Sequence, residues 1–157
     1  MTADFSIREA TPADIPEILR QRCAMYRDMG SRDDARLQQM ADSSQVFLRE
    51  AIPSGFLHSW LAENKKLQAV GGGAVITTPW LSRPHSLLPR QAFILNVYVY
   101  PEFRRRGVAR SLMQTMVDWC RKEGFSYVSL HASPDGRPLY ESMGFEPTSE
   151  LRLNLLR

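Results

Sequence analysis

Apolar residues alternate with polar ones, or form short apolar runs, in six segments of the chain, and this pattern predicts six strands. The predicted strands cover residues 5–9, 56–63, 67–78, 93–100, 125–131 and 151–155. Helical periodicity predicts four helices, at residues 11–29, 33–51, 107–123 and 134–144. This order of strands and helices indicates a mixed α/β sheet with helices on its faces.

The segment from Phe93 to Tyr100 is predicted to be the central strand. Its odd-numbered residues are all apolar, whereas its even-numbered residues include Asn96 and Tyr98, so it has one apolar and one more polar face. The three consecutive glycines from Gly71 to Gly73 lie inside another apolar strand pattern with no helix after it. They predict a bulge or a close approach of two backbones in the sheet.

The length of 157 residues and the composition, with 43% hydrophobic and 24% charged residues, are typical of one folded domain covering residues 1–157. The longest uncharged stretch, Leu67 to Ser82, is interrupted by glycines and a proline and cannot supply the ~20 apolar residues of a membrane span. The N-terminus lacks the pattern of a secretory signal. We therefore expect a cytoplasmic protein that does not bind membranes.

The cysteine and arginine content of the chain limits the kinds of binding site that it can form. Cys23 and Cys120 lie far apart without a CxxC pair, so a thiolate zinc site is excluded and both are expected to be small buried residues. All but three of the 20 basic residues are arginines, which suits phosphate binding but is equally explained by codon usage. Because the basic residues are spread along the chain, nucleic acid is not expected as a partner.

One cluster of arginines has a specific setting. Arg104, Arg105 and Arg106 follow the central strand and precede Gly107 at the start of a predicted helix. Main-chain N–H groups at a helix N-terminus are unpaired and partly positive, so such a turn can bind a diphosphate. The lysine and hydroxyl of a Walker loop are missing. The alternative is a solvated basic turn before an amphipathic helix.

Two motifs in this region resemble one known family. The sequence Arg104-x-x-Gly107-x-Ala109, after Val99-Tyr100-Pro101, resembles the Gln/Arg-x-x-Gly-x-Gly/Ala signature of the GCN5-related N-acetyltransferases, the GNAT superfamily. Downstream, Pro138 to Phe145 is similar to that family's Leu-Tyr-x-x-x-Gly-Phe segment. The resemblance implies the GNAT fold, a mixed and mostly antiparallel sheet flanked by helices, and an N-acetyltransferase that uses acetyl-coenzyme A without a metal.

The resemblance also implies which residues bind the coenzyme. The turn holds the pyrophosphate, chiefly by its main chain, and the central strand pairs with the pantetheine arm beside a bulge that separates it from the 125–131 strand. An unpaired amide in that bulge would bind the thioester oxygen. The implied cofactor-binding residues are Val97, Tyr98, Val99, Arg104, Arg105, Arg106, Gly107, Val108, Ala109, Arg110 and Ser133.

Tyr140 is the catalytic residue that the resemblance implies, as proton donor to the departing thiolate. Full transfer from a tyrosine of pKa ~10 to a thiol of pKa ~8.5 is uphill by roughly 2 kcal/mol, so donating a hydrogen bond to the developing thiolate is the alternative role. The sequence departs from the family at two positions. Ser133 stands where many relatives have an asparagine, and Ser129 where some have a glutamate that serves as general base.

The general base is therefore open. A lysine-like amine of pKa ~10.4 must lose a proton before it attacks, either to water or to a group of this chain. The candidates are His131, Glu63, Asn96 as a holder of water, and Asp28 or Asp33 near the junction of the first two helices. Large apolar residues are expected in the core, although the resemblance makes three of them candidates for lining the acceptor pocket, Tyr26, Met29 and Trp80.

The predicted function is transfer of an acetyl group from acetyl-coenzyme A to a primary amine by direct attack in a ternary complex. The acceptor is a small-molecule or a peptide or protein amine, and aminoglycosides, polyamines, amino acids and protein N-termini stay open, as does a longer acyl donor. The alternative is a catalytically weak acyl-coenzyme A sensor, and nucleic-acid binding is the third hypothesis. A homodimer that pairs through an exposed sheet edge or the final strand is also expected.

Overall fold

The computed structural model describes residues 4–156. Its helices are α1 (Ile15–Asp28), α2 (Asp34–Ala51), α3 (Val108–Lys122) and α4 (Arg137–Ser142). Its strands are β1 (Phe5–Glu9), β2 (Leu57–Asn64), β3 (Ala69–Pro79), β4 (Arg90–Val99) and β5 (Val128–Leu130). Single 3₁₀ turns at Pro12–Asp14 and Pro101–Phe103 precede α1 and follow β4.

The five strands form one sheet in the order β1-β2-β3-β4-β5. The first three neighbouring pairs are antiparallel, and β4 pairs with β5 in parallel. The predicted mixed α/β architecture is therefore confirmed. A short turn at residues 65–68 joins the antiparallel strands β2 and β3, whereas β1 and β2 are joined through α1 and α2. The parallel pair of β4 and β5 needs the crossover that α3 supplies.

Helices cover both faces of the sheet. On one face, α3 buries Leu112, Met113 and Met116 against Val75 and Ile94 of the sheet. On the other face, α1 and α2 pack around a second apolar cluster, whose members include Ile15, Ile18, Leu48, Leu61 and Ala74. The apolar stripes predicted on the helices provide the side chains that are buried on each face of the sheet. Packing on both faces holds the sheet in position between the two helix layers.

The triple glycine lies where backbones and helices approach the sheet most closely. A Cβ atom on Gly71 would lie 2.7 Å from the carbonyl oxygen of Tyr98, and one on Gly73 would lie 2.8 Å from the Met116 side chain. The pairing of β3 with β4 also shifts register beside Gly73. Of the two predicted alternatives, a bulge or a close backbone approach, the close approach is confirmed at Gly71, while the extra residue opposite Gly73 lies in β4.

The predicted strand at residues 151–155 is wrong. This segment has no regular secondary structure and pairs with no strand of residues 4–156, and Leu151, Leu153 and Leu155 are 95%, 80% and 83% exposed. The alternation that predicted the strand is real, yet a strand also needs a neighbouring edge to bond with, and periodicity cannot supply that. The strand at 125–131 is shorter than predicted, since only Val128–Leu130 reach β4.

Burial differs from the prediction at three further positions. Met29 and Trp80 are 61% and 51% exposed, because one follows the end of α1 and the other lies in the connection between β3 and β4. Cys120 is buried as expected, but Cys23 is only partly buried, and both are free thiols. Within residues 4–156, the helices are too short or too polar for any of them to cross a bilayer.

Candidate active site

A bulge interrupts β4 near its carboxyl end. Leu95 pairs with Ala74 and Tyr98 pairs with Gly72, so Asn96 and Val97 together oppose Gly73 alone. Asn96 has a left-handed backbone with φ of 63°, a conformation that asparagine tolerates better than most residues. The bulge that the family resemblance implied is therefore present.

The bulge reverses which side chains of β4 face each helix layer. Before it, Ile94 packs on the α3 side, and after it Val97 and Val99 pack on that same side. Asn96 and Tyr100 instead contact α1. The uninterrupted alternation predicted for residues 93–100 is therefore wrong beyond Leu95, because the bulge adds one residue to the strand.

The two parallel strands separate at the same place. Only Ala92, Phe93 and Ile94 of β4 pair with β5, opposite Val128 to Leu130. From Leu95 onward, the β4 edge that faces β5 has no strand partner among residues 4–156. The result is an opening between β4 and β5, in which the main chain of residues 97–99 can pair with an extended ligand except at the Val99 carbonyl, which already accepts from Arg104.

The turn between β4 and α3 presents a row of main-chain donors. Within the described chain, the N–H groups of residues 105–110 donate no hydrogen bond, whereas the N–H of Ser111 bonds to the carbonyl of Gly107. Arg105 and Gly107 have φ values of 63° and 82°, which curve the backbone so that successive N–H groups converge. Convergent amides at the start of a long helix form an anion site.

The arginines of this turn are used unequally. The Arg104 side chain donates to the carbonyl of Val99 at 2.8 Å and to Asp28 of α1 at 2.6 Å, so it lies on the α1 side. Arg105 and Arg106 are exposed, while Arg110 of α3 donates to Ser142 of α4 at 2.8 Å. Arg104 is paired with Asp28, so the positive charge available to a ligand at this turn comes from Arg105, Arg106 and Arg110, whose partner Ser142 is uncharged.

Tyr140 and Ser133 lie together around the turn that begins α4. Tyr140 is 9% exposed and belongs to the core on the α3 side, where burial raises its pKa and keeps the phenol protonated at neutral pH. Ser133 Oγ accepts a hydrogen bond from the N–H of Gly136 at 3.2 Å. A Cβ on Gly136 would lie 2.9 Å from the Tyr140 ring and 3.2 Å from Ser133 Oγ, so this glycine allows both side chains their positions.

The sequence profile of the acetyltransferase (GNAT) family matches residues 17–145, a span that includes the bulge, the turn and Tyr140. The chain belongs to this family. The GNAT fold and the family recognised from the two motifs are therefore confirmed, and the family's donor is acetyl-coenzyme A.

Solved structures agree in architecture over nearly the whole chain. A GCN5-related N-acetyltransferase from Ralstonia eutropha JMP134 has a TM-score of 0.88 and 29% identity, covering 98% of this chain and 99% of that chain. A predicted acetyltransferase with acetyl-CoA from Clostridium acetobutylicum has a TM-score of 0.87 and 25% identity, covering 97% of each chain.

Curated relatives match over a smaller part of their length. Human N-acetyltransferase 8 is 28% identical over 95 residues, which are 58% of this chain and 39% of that protein. The chain spans half or less of the length of the curated relatives it matches.

The candidates for general base are dispersed in this GNAT structure. Glu63 lies on β2 and binds Arg8 of β1 at 2.8 Å. In the sheet, β3 and β4 separate β2 from β5, so Glu63 is remote from the opening. Asp28 is bound by Arg104, and Asp33 caps α2 by accepting from the N–H of Arg36. These placements leave His131 and Asn96 beside the opening.

His131 directly follows Leu130, the last β5 residue paired with β4, so it stands where the two strands separate. Its ring contacts Phe93 edge to face, and its side chain is 58% exposed. Arg152 Nη2 lies 3.0 Å from its Nε2. Asn96 is held differently, because its Oδ1 accepts a hydrogen bond from Arg22 of α1 at 3.2 Å.

Sequence reasoning missed a polar network between α1 and β4. The Tyr100 hydroxyl donates to Glu17 at 2.8 Å, and the buried Gln21 donates to the same carboxylate oxygen at 3.1 Å. Burial and this carboxylate together raise the pKa of Tyr100 to about 12. The spacing of Glu17 and Gln21 by one helical turn was the only sequence signal, and it is common on solvated helix faces.

Two further observations concern a possible nucleophile and possible metal ligands. Burial raises the pKa of the Cys120 thiol to about 11, so this cysteine is a thiol and a poor nucleophile at neutral pH. Among residues 4–156, His, Cys, Asp and Glu side chains form no group of three or more that could hold a metal ion.

Proposed function

We propose that this chain transfers the acetyl group of acetyl-coenzyme A to a primary amine by direct attack in a ternary complex. The observation that carries the proposal is the row of N–H groups at residues 105–110, which leads directly to the unpaired edge of β4 and its bulge. A diphosphate and an extended arm need these two features side by side. We also propose that residues 1–157 act as one catalytic domain.

The donor fits the residues that surround the opening. The main chain of Arg104 to Arg110 would hold the diphosphate, and the exposed side chains of Arg105 and Arg106 would add charge-assisted bonds. Residues 97–99 would pair with the pantetheine arm as an added strand. Ser133 and the small Ala109 would border the same path.

The bulge and Tyr140 would act on different atoms of the thioester, its carbonyl oxygen and its sulfur. Acetyl-coenzyme A supplies an activated thioester, and a main-chain N–H of the bulge would stabilise negative charge on its carbonyl oxygen. The amine nitrogen forms a bond to the acetyl carbon while the carbon–sulfur bond breaks. Tyr140, protonated because burial raises its pKa, donates its proton or a hydrogen bond to the leaving sulfur.

The amine loses its proton through His131 or through water held near Asn96. His131 lies at the point where β4 and β5 separate, and imidazole is the side chain that most often acts as a general base. Ser129 stands at the position where some relatives have a glutamate, and a serine cannot act as a base there.

Two measurements on the wild-type protein test this function. We expect acetyl-coenzyme A to raise the melting temperature and free thiol to accumulate when a panel of small amines and amine-bearing peptides is added. Stabilisation without thiol release for every amine would support the sensor hypothesis. Absence of stabilisation at millimolar acetyl-coenzyme A would contradict the assignment of the turn.

Two copies of the chain are proposed to associate through residues 151–155. Glu150 and Arg152 lie against His131 at the end of β5, and the leucines beyond are exposed with strand periodicity. The outer edge of β5 has no partner strand within residues 4–156, so each copy can add its segment to the other's sheet. Light scattering should give a dimer mass, and Leu153→Asp should give a monomer. A monomeric wild type would contradict the pairing.

A further inference from the structure

Arg22 on α1 is a partly buried cation without a carboxylate partner in the described residues. Its Nη1 donates to Asn96 Oδ1 at 3.2 Å, and its guanidinium carbon lies 5.2 Å from the centre of the Tyr26 ring. These contacts hold the guanidinium in one orientation but use only one of its N–H donors on an uncharged acceptor. A partly desolvated charge in this condition favours an anionic ligand.

The carboxylates nearest in the chain to this arginine already have cationic partners. The ion pairs on α1 and its continuation are Glu17–Arg20 at 2.6 Å, Asp28–Arg104 at 2.6 Å and Asp34–Arg27 at 3.3 Å. Asp33 is engaged as the N-cap of α2. With Glu17, Asp28 and Asp34 each paired to another arginine, Arg22 is left as a positive charge beside the bulge.

The position of Arg22 relates that charge to the reacting centre. Asn96 is itself the bulge residue, so one short side chain separates the guanidinium from the main chain that is proposed to bind the thioester oxygen. An acceptor whose anionic group binds Arg22 would therefore hold its amine near the reacting centre if the amine and the anionic group are close together. An α-amino acid, with one carbon between its amine and its carboxylate, is such a compact acceptor.

We propose that Arg22 binds the carboxylate of the acceptor, and that the acceptors of this enzyme are free α-amino acids. The inference rests on the proposed acetyl transfer and names its substrate class. Polycationic acceptors such as polyamines are disfavoured, because they would bring further positive charge to Arg22. A peptide N-terminus is disfavoured as well, since its nearest main-chain group is an uncharged amide.

The test compares each amino acid with its own carboxamide, which keeps the side chain and the amine but lacks the negative charge. Thiol release is measured with acetyl-coenzyme A for the twenty common amino acids, the matched amides, and a polyamine. For the preferred side chain we expect kcat/KM to be at least about 10-fold higher for the amino acid than for its amide, the size of one charge-assisted contact.

Substitutions at Arg22 then separate recognition from folding. Arg22→Met should lower kcat/KM for the amino acid by about 10- to 100-fold and change that for the amide by less than about 3-fold. Arg22→Lys should restore part of the loss. Arg27→Met is the matched control on the same helix, with its own partner Asp34, and should leave the preference for the carboxylate intact.

The outcomes distinguish this inference from the function on which it rests. Equal use of amino acids and amides, preference for the polyamine, or equal loss on both substrates in Arg22→Met would overturn the role of Arg22 and leave acetyl transfer standing. Thiol release with none of these amines would overturn the substrate class, and thiol release with none of the wider panel of small amines and amine-bearing peptides would reject the proposed function as well.

Discussion

The turn at residues 104–110 and helix α1 are both rich in arginine, but they use it differently. At the turn, the main-chain N–H groups are free and the side chains of Arg105 and Arg106 are exposed. On α1, Arg20 and Arg27 pair with carboxylates and Arg22 is fixed on Asn96. The proposed donor site is therefore formed mainly by backbone, and the proposed acceptor site by an individual side chain.

This difference determines how each side should respond to substitution. A site constructed from backbone tolerates loss of a side chain but fails when added atoms fill the space in front of its amides. A site constructed from side chains loses specificity when one of them is changed. The following predictions test this contrast, starting with the largest expected effect.

Filling the space at the turn should have the largest effect. Gly107→Trp places a large ring where the amides converge, and we expect acetyl-coenzyme A affinity to fall by about 100-fold or more, a loss of about 3 kcal/mol. Isothermal titration measures the affinity. Gly107 has φ of 82° and open space where a Cβ atom would lie, so the strain of any side chain there needs its own control.

Gly124→Trp is that control. Gly124 ends α3 with φ of 85° and equally open surroundings, so it carries the same backbone strain away from the turn. Its affinity for acetyl-coenzyme A should match the wild type. If both variants lose affinity equally, backbone strain rather than occupied space explains the result, and the turn loses its assignment.

Removing the phenol of Tyr140 should affect turnover more than binding. Tyr140→Phe removes the donor to the leaving sulfur, and we expect kcat to fall by about 100-fold while acetyl-coenzyme A affinity stays near wild type. Thiol release under saturating donor measures kcat. A variant with unchanged kcat would remove Tyr140 from the chemistry.

The pH dependence of kcat in the wild type should also show that Tyr140 acts in its protonated form. Burial raises the pKa of Tyr140, and the phenol acts in its protonated form. Activity attributable to Tyr140 should therefore persist through the ordinary tyrosine pKa near ~10 and fall only above it. A kcat profile that falls on the alkaline side well below that value would contradict the assignment.

The contrast between backbone and side chains also explains what the sequence could predict. The turn follows from Arg104, Gly107 and Ala109, because the residues that allow a helix to start after a strand are adjacent in the chain. The family resemblance implied the bulge and with it a change of faces, but the alternation of residues 93–100 by itself predicts an uninterrupted strand, since alternation is a local pattern and register depends on the partner strand.

Contacts between residues far apart in the chain could not be predicted from the sequence. Arg22 lies 74 positions from Asn96, and Glu17 lies 83 from Tyr100, so no local pattern indicates either pair. Glu63 looked suitable as a base by residue type alone, yet β1 brings Arg8 to it. The 151–155 segment has strand periodicity without a strand partner in the described chain, which shows that pattern and pairing are separate requirements.

Loss of one contact on the α1 side should reduce stability. Tyr100→Phe removes the hydrogen bond to Glu17, a contact to a charged group in a partly buried site, and should lower the free energy of unfolding by about 1–2 kcal/mol. Urea denaturation measures this, with Tyr127→Phe as the control because Tyr127 is 64% exposed. Equal stability of the two variants would mean that the network contributes nothing.

Truncating arginine side chains at the turn should have the smallest effect. Arg105→Ala and Arg106→Ala each remove one exposed charge but keep every main-chain N–H group, so we expect acetyl-coenzyme A affinity to fall by about 3-fold or less for each. Arg121→Ala, at the other end of α3 and 70% exposed, controls for net charge. The small losses should shrink further in high salt, because exposed charges are screened. A loss of about 30-fold or more from either substitution would mean that side chains rather than main chain hold the diphosphate, and the contrast between the two sides of the site would fail.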